Sequence, residues 1–366
     1  MKIISLETKV IDTLRFPLIV LVVLIHLNIG IAINAPTHNI FNETAFFFSE
    51  CLARVAVPLF MLFSGYLFFF ANTGFTKEIY YKKIKSRFHS LFIPYMIWNT
   101  VAVLITLGLH LFFPEMVSDS KKPMTEYTLS DWFYSYWNTN EINSTLSSPC
   151  PTNYPLWFIR DLMIISLFSP IIYWLVKRLK WISVIVIGLL HITDALPTYP
   201  GVCLEAIFYF TVGALFGVHK IDFCQYLKNK ATPLTIAFIV TIVLREMQQH
   251  EMLSFLSSSP ISIYRLMILT GSCATIAVLA QITETKSITP NKFLSKSSFF
   301  VYLYHALPLG LTIKLLLKLD FLNSDIGYTF IYFISCAIIV MAGIYIYKIA
   351  LKLFPRTTAF IMGGRQ

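Results

Sequence analysis

Val10-Ile-Asp12-Thr-Leu-Arg15-Phe-Pro-Leu-Ile-Val-Leu-Val-Val-Leu-Ile-His26-Leu-Asn-Ile-Gly-Ile-Ala-Ile33 decides how the rest of this chain is read. A helix crosses roughly 30 Å of hydrocarbon with about 20 apolar residues, and this run is long enough. It is too long for a signal-peptide core and has no clear small-residue cleavage site, so it reads as a first membrane span. Three ionisable groups interrupt it: Asp12, Arg15 and His26. Charges at membrane depth are costly and mark function by default. Arg15 and His26 stand eleven residues apart, which is close to three helical turns and ~16 Å of rise. Their side chains therefore share one face. Taken singly, Arg15 reads as an interfacial anchor and His26 as a packed core residue. The common face favours a functional pair.

The composition agrees with a membrane chain. Of 366 residues, 56% are hydrophobic, 16% aromatic and 13% charged, and the mean hydropathy is +0.68. A soluble domain carries about 25% charged residues. No linker, repeat or low-complexity tract divides the sequence, so one domain over residues 1–366 is expected. Nine more apolar runs follow, at 44–70, 91–113, 156–176, 181–194, 201–218, 232–247, 261–282, 298–317 and 327–350. The expected fold is an all-α bundle of about ten transmembrane helices. The runs 181–194 and 232–247 are short for a span.

The loops carry the orientation. With a cytoplasmic N-terminus, the inner segments hold twenty Lys and Arg, among them Lys2, Lys82, Lys83, Lys85, Arg87 and Arg365, while the outer loops hold Lys121, Lys122 and Lys318. This alternation satisfies the positive-inside rule and places both termini in the cytoplasm. The chain is then a multi-pass protein of the cell (inner, cytoplasmic) membrane, in contact with lipid. The net charge of +10 follows from topology, which argues against nucleic acid as a partner. The long outer loop 114–155 contains Asp131, Trp132, Tyr134, Tyr136 and Trp137. It reads either as an aromatic belt at the interface or as a lid that stacks on sugar rings.

Other ionisable residues fall in the outer half or at the outer rim of their runs: Arg54, Arg160, Asp161, Glu205, Arg245, Glu246 and Arg265. Lipid does not tolerate them without partners. Arg160–Asp161 and Arg245–Glu246 can partly neutralise each other, and Glu205 is expected to pair with an arginine. Together they indicate a water-accessible outer vestibule with His26 at its floor. The inner side presents the basic segment Tyr80–His89, suited to phosphate groups. Such a bundle fits a reaction whose phosphate-bearing donor comes from inside and whose acceptor comes from outside. His26 would be the general base between them. Six cysteines show no metal-ligand spacing, and no metal is expected. Cys150 and Cys203 both fall at the outer face and make a candidate disulfide pair. No P-loop, dinucleotide fingerprint or zinc motif is present.

Asp12-Thr-Leu-Arg15 followed after ten residues by His26 resembles the opening helix of membrane acyltransferase family 3. Arg54-Val-Ala-Val-Pro58-Leu-Phe-Met-Leu-Phe-Ser64-Gly65-Tyr66 resembles its second-span signature. Pro155-Leu-Trp157-Phe-Ile resembles the start of the fourth span, and Ser298-Phe-Phe-Val-Tyr302-Leu-Tyr-His305 the ninth. With Pro94-Tyr95 and the Gly213 stretch, the likeness runs in order from about residue 8 to 350. Two features depart from the family. Leu162 and Met163 stand where many members carry acidic residues, and Lys82, Lys83, Lys85 and Arg87 stand in place of an Arg-x-x-Arg pattern.

The resemblance implies transfer of an acyl group, often acetyl, from cytoplasmic acyl-CoA to a hydroxyl of a cell-surface or lipid-linked carbohydrate. Acyl-CoA would be a donor substrate, with no bound cofactor. Arg15 and His26 are the implied catalytic pair. Lys82, Lys83, Lys85, Arg87 and His305 are donor-binding candidates by location, and Asp12, Arg54, Arg160, Asp161 and Glu205 acceptor-binding candidates. Ser64-Gly65 reads as close helix packing. Glycan-synthesis machinery is a conceivable partner. The competing reading is a transporter or flippase for a polysaccharide or its lipid-linked precursor. It explains the spans and the vestibule, but it has no need of the Arg15–His26 face or the basic inner mouth.

Overall fold

The computed structural model describes residues 5–27, 29, 40–71, 74–113, 122–143, 149–253 and 261–365. Asn28 and residues 30–33 of the first apolar run, Lys2 and Lys121 lie outside the described residues. Among these the chain is helical, with one isolated bridge at Tyr199–Val202 and no strand. The elements are α1 (Leu6–Ile25), α2 (Ile40–Phe70), α3 (Lys77–Phe112), α4 (Leu129–Trp137), α5 (Trp157–Leu167), α6 (Ser169–Leu179), α7 (Trp181–Ile192) and α8 (Leu204–His219). They continue as α9 (Phe223–Lys228), α10 (Ala231–Gln249), α11 (Ile263–Lys286), α12 (Lys292–Tyr304), α13 (Ala306–Leu317), α14 (Asp325–Leu353) and α15 (Pro355–Ile361).

Each expected apolar run coincides with helix, and the bounds differ in instructive ways. α1 stops at Ile25, and His26 caps it with φ −94° and ψ 0°, its N–H turned back to the Val23 carbonyl at 3.1 Å. The first helix is thus shorter than the run 10–33. α3 begins fourteen residues earlier than the run 91–113, because the basic segment is itself helical and continuous with it. Among the described residues, and by length and apolarity alone, α2, α3, α10, α11 and α14 can cross a membrane. Two bent pairs, Tyr154–Leu167 with α6 and α12 with α13, raise that number from five to seven if each pair is one span. α7 and α8, of 12 and 16 residues, are shorter.

Prolines explain the interruptions. A proline has no N–H for the carbonyl four residues earlier and its ring collides with it. Pro58 follows the wide turn Phe46–Leu52 and the tight turn Ala53–Val55 of α2. Pro94 follows a second wide turn, Phe88–Phe92, in α3. Pro170 follows the 64° bend between α5 and α6, and Pro308 the 74° bend between α12 and α13. Arg54 and His305 sit at such breaks, and Arg87 abuts one.

α1 packs against α2, α11, α12 and α14, so its apolar face is inside the bundle. Val10, Ile11, Leu14, Leu18, Val22 and Val23 are all buried. The most extensive helix contact joins α2 and α8. It is made by glycine: a Cβ on Gly213 would lie 2.0 Å from the Leu62 carbonyl oxygen, and one on Gly65 would lie 2.1 Å from that of Phe210. Small residues let helix backbones touch in this way. Replacing Gly213 by Ala would force the two backbones apart and cost about 1–3 kcal/mol, seen as a lower melting temperature of the detergent-purified protein. Gly213→Val would reduce the folded yield further. A Val variant as stable as the parent would contradict this packing.

Candidate active site

A cavity of about 680 Å³, within the size range of small-molecule sites, lies among α1, α2, α3, α5, α8, α11 and α12. Arg15, Ile19, Val22 and His26 line it from a single face of α1, as the helical period requires. The sequence-predicted pair therefore faces one common space.

The polar lining divides into two groups. The first gathers Arg15, Lys83, Arg87, Lys296 and Arg365. Arg365 feels the charges of both Arg87 and Arg15. The second gathers Arg54, Glu205 and Tyr264, which act electrostatically on one another and, through Arg54, on His26. The lining also includes Val57, Phe60, Ser64, Leu67, Trp157 and Phe158. Ser64 thus faces the cavity while its neighbour Gly65 makes the α2–α8 contact.

His26 is held by aromatic and imidazole neighbours. Its ring centroid lies 4.9 Å from Tyr154 and 5.2 Å from His305. His305 is fully buried and stands behind His26 rather than in the cavity wall. His305 Nδ1 lies 2.8 Å from the Tyr302 carbonyl oxygen and 3.2 Å from that of Val301. Carbonyls only accept, so in the neutral ring Nδ1 carries the proton and Nε2 accepts. That Nε2 is 3.2 Å from His26 Nδ1, which must then be the donor. The remaining His26 nitrogen, Nε2, is left with its lone pair. The ring also meets the Val22 backbone carbonyl one turn earlier in α1. Hydrogen-bond logic thus fixes a basic nitrogen on a cavity-lining imidazole.

A buried polar network fixes this corner. Asn99 Nδ2 donates to Ser135 O at 3.1 Å, and its Oδ1 accepts from Asn153 N at 2.9 Å. Asn153 Nδ2 reaches Leu303 O at 3.2 Å, and the Tyr302 hydroxyl donates to Pro155 O. The turn Tyr154–Leu156 is thereby tied to α3 and α12, which sets Tyr154 against His26. Asn99 and Asn153 were not singled out from the sequence. A buried Asn in an otherwise apolar run was the available signal.

The other candidates scatter. Asp12 accepts from Arg15 Nη1 at 2.7 Å and does not line the cavity. Of the basic segment, Lys83 and Arg87 line it, four residues apart on one face of α3, while Lys82 and Lys85 are exposed elsewhere. Arg54 lines the cavity and is held by Glu50, with Nε donating to Oε2 at 3.1 Å. Glu205 lines it too, but forms no ion pair within 4.0 Å among the described residues. Arg245 donates to Gln248 at 3.1 Å instead of meeting Glu246, and Arg265 is held by Asp194 and the His191 carbonyl.

Arg160 and Asp161 pair with each other at 2.9 Å and are buried, away from the cavity. Arg160 also donates to the carbonyls of Trp137 and Pro149, and Asp161 accepts from Gly201 N at 3.1 Å. They clamp the loop onto the bundle. Within that loop α4 is capped by Thr128 and Asp131, and Lys122 donates to Asp131 at 2.7 Å. None of residues 122–143 lines the cavity. Cys150 and Cys203 are not joined in a disulfide. Glu43, Glu246 and His250 lie within metal-binding distance of one another, though the Glu43–His250 contact at 3.2 Å already accounts for their proximity.

The family model described as an acyltransferase domain matches residues 9–348, nearly the whole chain. The chain belongs to that acyltransferase family. It is also similar to the succinoglycan biosynthesis protein ExoH of Rhizobium meliloti (strain 1021), with 24% identity over 205 residues, 54% of this chain and 50% of that protein. The chain thus spans about half the length of the curated relative it matches. No solved structure matches it.

The loop clamp is testable. Arg160→Ala leaves the Asp161 carboxylate buried without its cation, a change that typically costs about 3–5 kcal/mol. The expected result is a sharply lower melting temperature and faster proteolysis within 122–153. Unchanged protease resistance would show that the loop is held by other contacts.

Proposed function

We propose that this protein transfers an acyl group, acetyl in the simplest case, from acyl-CoA to a hydroxyl of a cell-surface or lipid-linked carbohydrate, with His26 as general base. One observation carries the reading: an imidazole whose Nδ1 meets His305 lines the same cavity as a cation-rich group and the Arg54–Glu205 group. Family membership and the likeness to a succinoglycan biosynthesis protein support acyl chemistry on a polysaccharide.

In this reading the phosphates of acyl-CoA meet Arg15, Lys83 and Arg87, and the pantetheine arm runs along α1 toward His26. The acceptor enters beside Arg54 and Glu205. Its hydroxyl oxygen attacks the thioester carbon while His26 Nε2 takes the proton. The tetrahedral intermediate collapses, the C–S bond breaks, and the imidazolium returns its proton to the departing thiolate. His305 acts as a positioning residue. It holds the His26 tautomer and accepts the Nδ1–H that the imidazolium presents, the part a carboxylate plays in a Ser-His-Asp triad.

The chain is further proposed to be one domain of ten spans in the cytoplasmic membrane with both termini inside, supported by the basic-residue asymmetry. Single cysteines introduced at Lys82 and at Glu126 of a cysteine-free variant test this. Only the second should react with an impermeant maleimide in intact cells, and the opposite pattern would invert the topology.

His26→Ala should lower acyl transfer by about 10²–10⁴-fold, measured as acyl-CoA consumption by purified protein and ester content of surface glycans, with normal expression. His305→Leu should lose most of that activity. His305→Gln, which can still accept from His26 and donate to Tyr302, should retain more. Wild-type ester levels in the His26 variant would remove it from the mechanism. Unchanged glycan esters with lost glycan export in a deletion strain would favour transport.

A further inference from the structure

We propose that Arg365, carried on the segment that follows α15, joins Arg15 and Arg87 in the donor-phosphate site. The inference rests on the acyl-CoA reading and adds a ligand that no motif in the sequence marks.

Residues 355–365 fold back onto the bundle. α15 packs against α14 and α3, and Trp98 Nε1 donates to Ile361 O at 3.1 Å. The next turn then runs against the wide turn Phe88–Phe92, directly after Arg87. Gly363, at φ +66°, passes so close that a Cβ there would lie 2.6 Å from Ser90 Cα. Only glycine fits both that backbone and that gap. Arg365 is thereby delivered into the cavity wall. Its Nη1 donates to the Ser90 carbonyl at 2.8 Å, the oxygen for which Pro94 has no N–H to offer. Its guanidinium lies 3.8 Å over the Phe299 ring.

These contacts hold the side chain but leave its charge unanswered. Arg365, Arg87 and Lys83 form no ion pair within 4.0 Å among the described residues. Arg87 and Lys83 both rest on the face of Phe68, at 5.3 and 4.9 Å. Asp12 is taken by Arg15. Burial, then Arg87 and Arg15, pull the Arg365 guanidinium down to about 9. A cluster of cations crowded in this way is relieved by an anion, and guanidinium groups match phosphate oxygens geometrically. A nucleotide carrying several phosphates supplies the charge that the cluster lacks.

The full-length protein in detergent tests this with two donors that share a thioester, acetyl-CoA and acetyl-pantetheine, the second without phosphates. Arg365→Gln should raise KM for acetyl-CoA about tenfold, with the loss carried by KM and no comparable effect on acetyl-pantetheine. Arg365→Lys should recover part of it. Equal impairment with both donors would reduce Arg365 to a structural strap and overturn the proposal, as would no effect on either. Inorganic pyrophosphate keeps this separate from the acyl-CoA reading. If the parent protein consumes no acyl-CoA, that reading fails. Thermal stabilisation by pyrophosphate that Arg365→Gln abolishes would still support the anion site, and stabilisation that persists would overturn it.

Discussion

A neutral imidazole serves as a base only when one nitrogen is bare and pointed at the reaction, and inside an apolar bundle nothing but protein can arrange that. Here the arrangement is a short chain of hydrogen bonds. The Tyr302 carbonyl fixes the proton on His305 Nδ1, and His305 Nε2 in turn holds the proton on His26 Nδ1. Three features of the fold support this chain. The 74° bend between α12 and α13 places His305 where it reaches α1. The end of α1 at Ile25 lets His26 project as a cap. The Asn99–Asn153 network seats Tyr154 against its ring.

The breaks in the helices are the means by which an apolar bundle acquires polar chemistry. An unbroken helix satisfies its own backbone and offers lipid nothing to bind. Pro58, Pro94 and Pro308 each loosen a turn, and each loosened turn holds or adjoins a side chain that matters: Arg54, Arg87 and His305. Freed carbonyls are then met by side chains, as Arg365 meets Ser90. Wide turns of this kind recur at functional sites in other proteins for the same reason.

Much of this was legible in the sequence because its period is helical. Apolar runs gave the helices, and the eleven-residue spacing placed Arg15 and His26 on one wall. The same period pairs Lys83 with Arg87 and Lys82 with Lys85 on separate faces, but it does not say which pair meets the cavity. What the sequence did not disclose is contact between distant segments. His305 and His26 are 279 residues apart, and no local pattern announces that they bond. Arg160–Asp161 read as vestibule charges but serve as a loop clamp, because their partners are the carbonyls of Trp137 and Pro149. The reach of residues 363–365 to Ser90 depends on a glycine conformation that composition cannot show.

The two groups of charges differ in a way that bears on direction. Of the cavity-lining arginines, Arg54 is answered by Glu50 and Arg15 by Asp12. Lys83, Arg87 and Arg365 meet aromatic faces and a carbonyl instead. A folded protein gains nothing from gathering like charges without counter-ions, since their repulsion and desolvation both oppose folding. A paired set can be explained as structure alone, but an unpaired set in a cavity wall needs a ligand to explain it. The cavity is therefore asymmetric. In the proposed reading the Arg54 end would take the acceptor, and a polyanion would complete the cation-rich end. In that reading an acyl group carried on a nucleotide arrives at the second end, and His26 takes the proton of the acceptor hydroxyl.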